Sequence, residues 1–527
     1  MSKSIKSSPR TIFNTTENSN FILNMTEEQY AKLASYGLII GMFMMPLFTL
    51  APEINDQKFS YAMTAGGLAV AGVINMILAL IGLMKKYISK TAMLPVCAFG
   101  AMVAWGVVSL FNGYDYGVGL YGFNERGEGL LAILFYAGFF TTAAAIKRRS
   151  AIKRLLNGII GVGVFNCIIA LMQIFGGYLS KYADIGVIME NDDMKDLYVY
   201  AASGLSMSPL FLAMILTLSL AAALIAFVTA ESRRNRLIYL ASALIFSFVI
   251  MFTYSLIGIC GLVFSLIAAA VAVFVRKAPV ARLLCVPAAA VFAGLAVLLV
   301  NTGNIGNIDS YKLHDGRILW YADGYRRASA SGNVDQSVLN LDDTSAVYWY
   351  LNDKTLDIIA KNKLTGTGPE QLAYPQLKTA AGLTDVKDMI IQKGNKMTFD
   401  KVYNEYLYTA ATRGIPSLIA LILILLPTAA AGYKAVRKKK LPEMLIFFAM
   451  TVGGILLFFI GVSNIAYAPV FWAAAGVSCA EIEKEKPAAE EKTEETKANG
   501  KKAGTDTVKK TTGKKTSKPG KKSNRKK

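Results

Sequence analysis

Charge is scarce in this chain: Asp, Glu, Lys and Arg make up 17% of its 527 residues and hydrophobic residues 54%, and the mean hydropathy is +0.41. A soluble protein of this length rarely has that balance. Histidine occurs once, at His314. The five cysteines, Cys97, Cys167, Cys260, Cys285 and Cys479, each fall inside an apolar run, which argues against a disulfide framework for the loops. The first thirty residues lack a short apolar core followed by a small-residue cleavage site, so no removable signal peptide is expected and the first hydrophobic helix does the targeting. No internal repeat suggests the paired halves of a transporter. The apolar runs hold Asn75 and Asn166 but essentially no Asp, Glu, Lys or Arg at their centres, which weighs against an ion-coupled transport pathway.

What is present is a series of long apolar runs. They fall near 35–52, 61–84, 92–111, 128–146, 155–176, 207–230, 237–254, 256–275, 283–301, 415–433, 442–462 and 465–480. Each is long enough to cross a hydrocarbon core of about 30 Å at about 1.5 Å per helical residue. An all-α integral membrane protein of about twelve transmembrane helices is therefore expected. Basic clusters follow every second run: Lys85, Lys86 and Lys90; Lys147 to Arg154; Arg233, Arg234 and Arg236; Arg276 to Arg282; Lys434 to Lys440. Under the positive-inside rule these loops and both termini are cytoplasmic, and 112–127, 177–206 and 302–414 face outward.

The chain then divides into a cytoplasmic segment (1–34), nine helices (35–301), a large extracytoplasmic loop (302–414), three helices (415–480) and a Lys-rich tail (481–527). The tail has almost nothing apolar to bury and is expected to be disordered. Beside a membrane its charge reads as topology and attraction to anionic headgroups rather than as a nucleic-acid arm.

Three outward stretches carry chemistry. The first runs from Gly122 to Leu130 and sets Arg126, Glu125 and Glu128 where a helix enters the membrane; its plainer reading is an interfacial anchor with Glu128 favoured by the helix dipole. The second opens the large loop with His314, Asp315, Gly316, Arg317 and Trp320, followed by Arg326 and Arg327. Guanidinium groups grip phosphate oxygens through paired, charge-assisted hydrogen bonds, so a diphosphate-linked lipid headgroup suits this segment; a short helix lying on the bilayer suits it equally. The third follows an amphipathic helix near 345–362. It contains Gly366-Thr367-Gly368-Pro369-Glu370 and ends in Asp400-Lys401-Val402-Tyr403-Asn404-Glu405-Tyr406-Leu407, before Arg413 and Gly414. Such glycines often only make a turn. Acidic pairs at Asp192-Asp193 and Asp342-Asp343 read as solvated loop residues, and neither a metal nor another cofactor is expected.

Taken in order, these pieces resemble the O-antigen ligase and polymerase-like family of bacterial membrane glycosyltransferases, in the form of Gram-positive members. The resemblance covers about residues 30–480. Its elements are Arg-x-Glu-Gly-Leu (Arg126 to Leu130), a Gly-Arg…Trp element one residue shorter than usual (Gly316 to Trp320), Gly-x-Gly-Pro (Gly366 to Pro369) and Asp-Lys-x-His-Asn-x-Tyr-Leu (Asp400 to Leu407). The resemblance implies a bacterial plasma-membrane enzyme, a ligase or polymerase of cell-envelope polysaccharide. Such an enzyme transfers a saccharide, without metal, from an undecaprenyl-diphosphate carrier to the hydroxyl of a glycan or cell-wall acceptor, with inversion and with no nucleic-acid partner. It assigns the diphosphate to Arg317, helped by Arg126, Arg326 and Arg413, and loop shaping to Gly366, Gly368 and Pro369.

The chain departs from the pattern at the base. Tyr403 stands at the family's His, and a Tyr with an ordinary pKa near 10 is a poor base at neutral pH. Glu405 and His314 are the substitutes, with Asn404 retained beside them. Ser255-Leu256-Ile257-Gly258 and Ser206-Met207-Ser208-Pro209 replace two further family elements and remove one expected arginine, for which Arg126 is the replacement. The alternative from another class is a non-catalytic transporter, flippase or scaffold for lipid-linked glycans.

Overall fold

A computed structural model describes residues 25–49, 57–123, 126–176, 187–190, 193–196, 202–206, 208–253, 255–301, 344–376, 401–439 and 441–482. Arg317, His314, Arg326, Asp192, Asp342, Asp343 and nearly all of the Lys-rich tail lie outside them. Within them the chain is an all-α integral membrane protein. Its helices are α1 (Glu27–Thr49), α2 (Gln57–Met84), α3 (Lys90–Phe111), the short α4 (Tyr116–Tyr121), α5 (Leu130–Ala144), α6 (Arg149–Gly176), α7 (Pro209–Thr229), α8 (Arg233–Met251), α9 (Leu256–Val275), α10 (Cys285–Asn301), α11 (Thr344–Lys361), α12 (Glu405–Lys439), α13 (Pro442–Leu457) and α14 (Ala468–Cys479). A four-residue antiparallel hairpin, Val187–Glu190 with Asp193–Asp196, interrupts the helices between α6 and α7.

Every one of the twelve apolar runs overlaps one of these helices. Seven helical segments among the described residues are long and apolar enough to cross a membrane, in α3, α6 to α10 and α12; shorter apolar helices occupy Ala69–Met84, α5, α13 and α14. Two starts differ from the sequence reading. α5 begins at Leu130, which leaves Glu128 in the preceding turn, and α12 begins ten residues ahead of the run at 415. The second difference has a local cause: Gly414, at φ 80°, breaks α12 into a first segment ending at Arg413 and the long apolar helix beyond.

Capping sets several of the remaining ends. Thr26 and Gln29 form a reciprocal capping box at α1, the Gln29 amide donating to Thr26 Oγ1 (3.3 Å) and the Thr26 amide to Gln29 Oε1 (2.9 Å). Ser89 caps α3 and also donates to the Cys479 carbonyl (2.7 Å), Asp115 caps α4, and Ser208 caps α7 with Pro209 at its first position. Ser255, one of the residues standing where a relative would carry other chemistry, caps α9 through the Gly258 amide at 3.0 Å.

Nearly every side chain of α7 is buried, and the helix packs against α6, α8, α9 and α13. Around the molecule the outward side chains are apolar, as at Ile77, Leu80, Phe274, Leu298 and Leu426, an arrangement stable in hydrocarbon and not in water. Asn75 and Asn166, the polar residues of the spans, are fixed by backbone bonds: Asn75 Nδ2 donates to the Gly37 and Ala71 carbonyls, and Asn166 Oδ1 accepts from the Leu205 amide. The five cysteines are free, three of them buried.

The basic loops are tied together at one end of the bundle. Arg149 grips Glu443 through Nε and Nη2 at 3.0–3.2 Å, Lys153 approaches the same carboxylate at 3.7 Å, and Lys147 and Arg148 pair with Glu27. The opposite end holds the turns before α5 and α12 and the connection from α13 to α14.

Candidate functional site

At that opposite end a clasp joins two distant parts of the chain. The turn after α11 bends back over α12, with the Thr367 and Gly368 amides donating to the Ala411 and Thr412 carbonyls at 2.9 Å and the Ile415 amide to the Lys363 carbonyl at 2.8 Å. α3 closes the other side. Ser109 Oγ donates to the Thr412 carbonyl, Trp105 Nε1 to that of Leu364, and Asn112 Nδ2 to Thr365 Oγ1 and the Gly366 carbonyl. The carboxamide of Gln371 accepts from the Tyr114 and Asp115 amides and donates to the Asp115 carbonyl.

Glycine is required at three points of the clasp. Gly366 (φ 66°), Gly368 (φ 99°) and Gly414 (φ 80°) all lie in the left-handed region, and a Cβ at Gly414 would stand 1.8 Å from the Leu364 carbonyl oxygen. The Gly-x-Gly-Pro element therefore makes the turn that meets the kink in α12. Glu370 shares the left-handed conformation, at φ 61°, without being glycine. That geometry costs roughly 1–2 kcal/mol for a residue carrying a Cβ.

The clasp carries Glu370 into a buried cluster of ionised groups. Lys401 Nζ contacts the Glu128 carboxylate directly, lies 3.5 Å from Glu370 Oε1 and sits 5.2 Å above the Tyr408 ring; the Tyr408 hydroxyl donates to Glu370 Oε1 at 2.6 Å. The side chains of Glu128, Glu370 and Lys401 are 7%, 2% and 6% exposed. Burial pushes the Glu128 carboxyl up, to about 7, and Glu370 adds to the rise while Lys401 and Arg126 oppose it. Burial disfavours the Lys401 ammonium, but Glu128 and Glu370 outweigh it and hold its pKa above the usual lysine value.

A second pair lies beside the first. Arg413 Nη2 is 3.5 Å from Glu405 Oε1 and donates to Thr409 Oγ1 (2.8 Å), whose hydroxyl donates to the same carboxylate oxygen (3.2 Å). The Ser463 amide donates to Glu405 Oε2 at 2.9 Å. Both groups border one cavity of about 40 Å³, walled on its apolar side by Phe99, Met102, Ile133 and Trp472.

Of the residues singled out in the sequence, the structure brings Glu405, Arg413, Gly366, Gly368 and Pro369 to this site, with Arg126 close enough to act electrostatically on Glu128 and Lys401. Asn404 has a structural position: its Oδ1 accepts from the Tyr406 and Leu407 amides at 3.1 Å and caps α12. Tyr403 is buried just before that cap and does not line the cavity. Glu128 is not the interfacial anchor of the plainer reading, because Lys401 draws its carboxylate inward. Lys401, Glu370 and Tyr408 had no site role in the sequence reading, although all three lie within or beside the elements quoted there.

A polytopic membrane protein with an ionised cluster sealed at one end of its helices is the class defined by fold and site. Residues 240–422 match the family model of O-antigen ligases, and over that region the chain is similar to a glycan ligase. Glu370, Lys401, Glu405, Tyr408 and Arg413 lie within the matched region. No curated protein matches the chain by sequence.

Proposed function

We propose that the protein is a glycan transferase that moves a saccharide from an undecaprenyl-diphosphate carrier to an acceptor hydroxyl, as a ligase or polymerase of cell-envelope polysaccharide. The observation that carries this reading is the buried Glu128–Lys401–Glu370 and Glu405–Arg413 cluster. It lies mostly inside the segment similar to O-antigen ligases and at the end of the bundle opposite the basic loops. Under the positive-inside rule that end is the outer face of the plasma membrane, with both termini cytoplasmic. The concentration of charge at one end, with Asn75 and Asn166 held by backbone bonds deeper in the spans, favours an enzyme over a transporter.

The reaction makes two demands: the departing diphosphate needs its charge neutralised, and the attacking hydroxyl must lose its proton. Arg317, with Arg126, Arg326 and Arg413, is the set of cations for the first. The second falls to a carboxylate of the cluster, of which Glu405 is the one beside the position of the family's His.

Purified protein in lipid nanodiscs, given an undecaprenyl-diphosphate-linked oligosaccharide, tests the proposal. Release of undecaprenyl diphosphate that survives a chelator and falls about 10²–10³-fold in Arg317→Ala is the expected result. No release from any donor, with lipid binding intact, would favour a carrier or scaffold for such lipids.

A further inference from the structure

We infer that Glu370 is the proton acceptor for the attacking hydroxyl, which enters the cavity that Glu370 shares with Tyr136, Ser463 and Trp472; this rests on the transferase reading above. The cavity is small, with room for a few water-sized groups, so it admits a hydroxyl and its carbon rather than a whole sugar ring. Polar atoms of four of its lining residues are buried with no hydrogen-bond partner among the described residues: Glu370 Oε2, Tyr136 Oη, Ser463 Oγ and Trp472 Nε1. Buried polar atoms are nearly always paired. Four around one cavity point to a ligand with hydroxyl groups.

Among the carboxylates, only Glu370 has the arrangement a base needs. Glu405 has both oxygens engaged, Oε2 by the Ser463 amide and Oε1 by Thr409 and Arg413. Glu128 is bound directly by Lys401. Glu370 is oriented through one oxygen, by the Tyr408 hydroxyl with Lys401 behind it, and keeps the other for a substrate. A base held by a third group in this way is the general pattern of activated nucleophiles. The left-handed backbone at Glu370 is a second sign, because strain of that kind persists where the surrounding structure enforces it and collects at reactive sites. In the step itself the acceptor O–H proton passes to Glu370 Oε2 and the hydroxyl oxygen bonds to the anomeric carbon. The bond from that carbon to the diphosphate oxygen breaks, and the diphosphate leaves with the electron pair.

The test compares wild type, Glu370→Gln and Glu370→Gly in nanodiscs with an undecaprenyl-diphosphate-linked disaccharide as donor and acceptor. Glycine suits the φ of position 370, so Glu370→Gly is expected to melt no lower than wild type. Its kcat is expected to fall about 10²–10⁴-fold with donor affinity unchanged, and sodium formate, a small carboxylate able to occupy the emptied space, is expected to restore about tenfold or more. Turnover by either variant within about threefold of wild type overturns the inference and leaves the transferase reading standing. Loss without rescue, or donor affinity lost in step with turnover, makes Glu370 structural and also overturns it. A wild-type protein that releases no undecaprenyl diphosphate overturns the transferase reading and the inference together.

Discussion

Glu128 carries the most direct consequence of burial at a single residue. Its carboxyl rises from an ordinary 4.5 to about 7 in the fold, burial being the largest cause. A group whose pKa is raised on folding binds its proton more tightly in the folded state. The associated stability is fully present below about 4.5 and is lost as pH rises through about 7. The melting temperature in nanodiscs is thus expected to decline between pH 5 and 8 through this group, and Glu128→Gln to flatten that part of the profile. An unchanged slope in the variant would mean that the carboxyl is not held in this way. Asn404 gives the opposite kind of expectation. As the cap of α12 it contributes about 1 kcal/mol, so Asn404→Ala should lower stability by that amount, with activity per folded molecule within about twofold of wild type. A loss of turnover far larger than the loss of folded protein would give Asn404 a chemical role.

Elements show how much was legible in the sequence. The helices were, since a run of apolar residues that spans hydrocarbon has few alternatives to helix, and all twelve runs overlap helices. The kink at Gly414 was only half visible: glycine and Pro416 mark a break, but the apolar run starts after it, so Glu405 to Arg413 reads as loop although it is helical. The cluster was not legible. Lys401 and Glu128 are 273 residues apart, and nothing in either local stretch says that one neutralises the other. Glu128 alone, before a span, looks like many interfacial acids, and Lys401 looks like part of a polar loop.

The clasp predicts its own sensitivities. Gly414→Ala would drive a Cβ into the Leu364 carbonyl, and Gly366→Ala one to 2.4 Å from the Thr412 carbonyl carbon. Each is expected to cost upwards of about 2 kcal/mol, through the strain of the left-handed backbone and the broken turn together. Gly100, in α3, has open space around its Cβ position, and Gly100→Ala should stabilise by about 0.5–1 kcal/mol through helix propensity alone. Thermal melts of the three variants in nanodiscs separate the cases, and equal effects would remove the distinction between clasp and helix glycines.

At the scale of the whole molecule the arrangement is polar in the geometric sense. Pairs such as Arg149–Glu443 and Arg148–Glu27 tie the basic loops at one end, and the ionised cluster lies at the other. In a background with the five native cysteines replaced, single cysteines at Tyr116 and at Lys277 should label oppositely with a membrane-impermeant maleimide in intact cells. Tyr116 is expected to react from outside and Lys277 only after permeabilisation. The reverse pattern would invert the orientation and place the cluster on the cytoplasmic side.

The span of the clasp also has a meaning in time. Ser109 finds its partner 303 residues later, Asn112 finds Gly366 254 residues later, and Glu128 waits for Lys401. Synthesis runs from the N-terminus at about 5–20 residues per second, so for tens of seconds α3 and the turn before α5 stand in the membrane without the groups that complete them. During that interval Glu128 has no Lys401 and is best kept protonated. The site comes into being only when the first segment of α12 arrives, which makes late helix insertion the step that separates a finished molecule from an inert one.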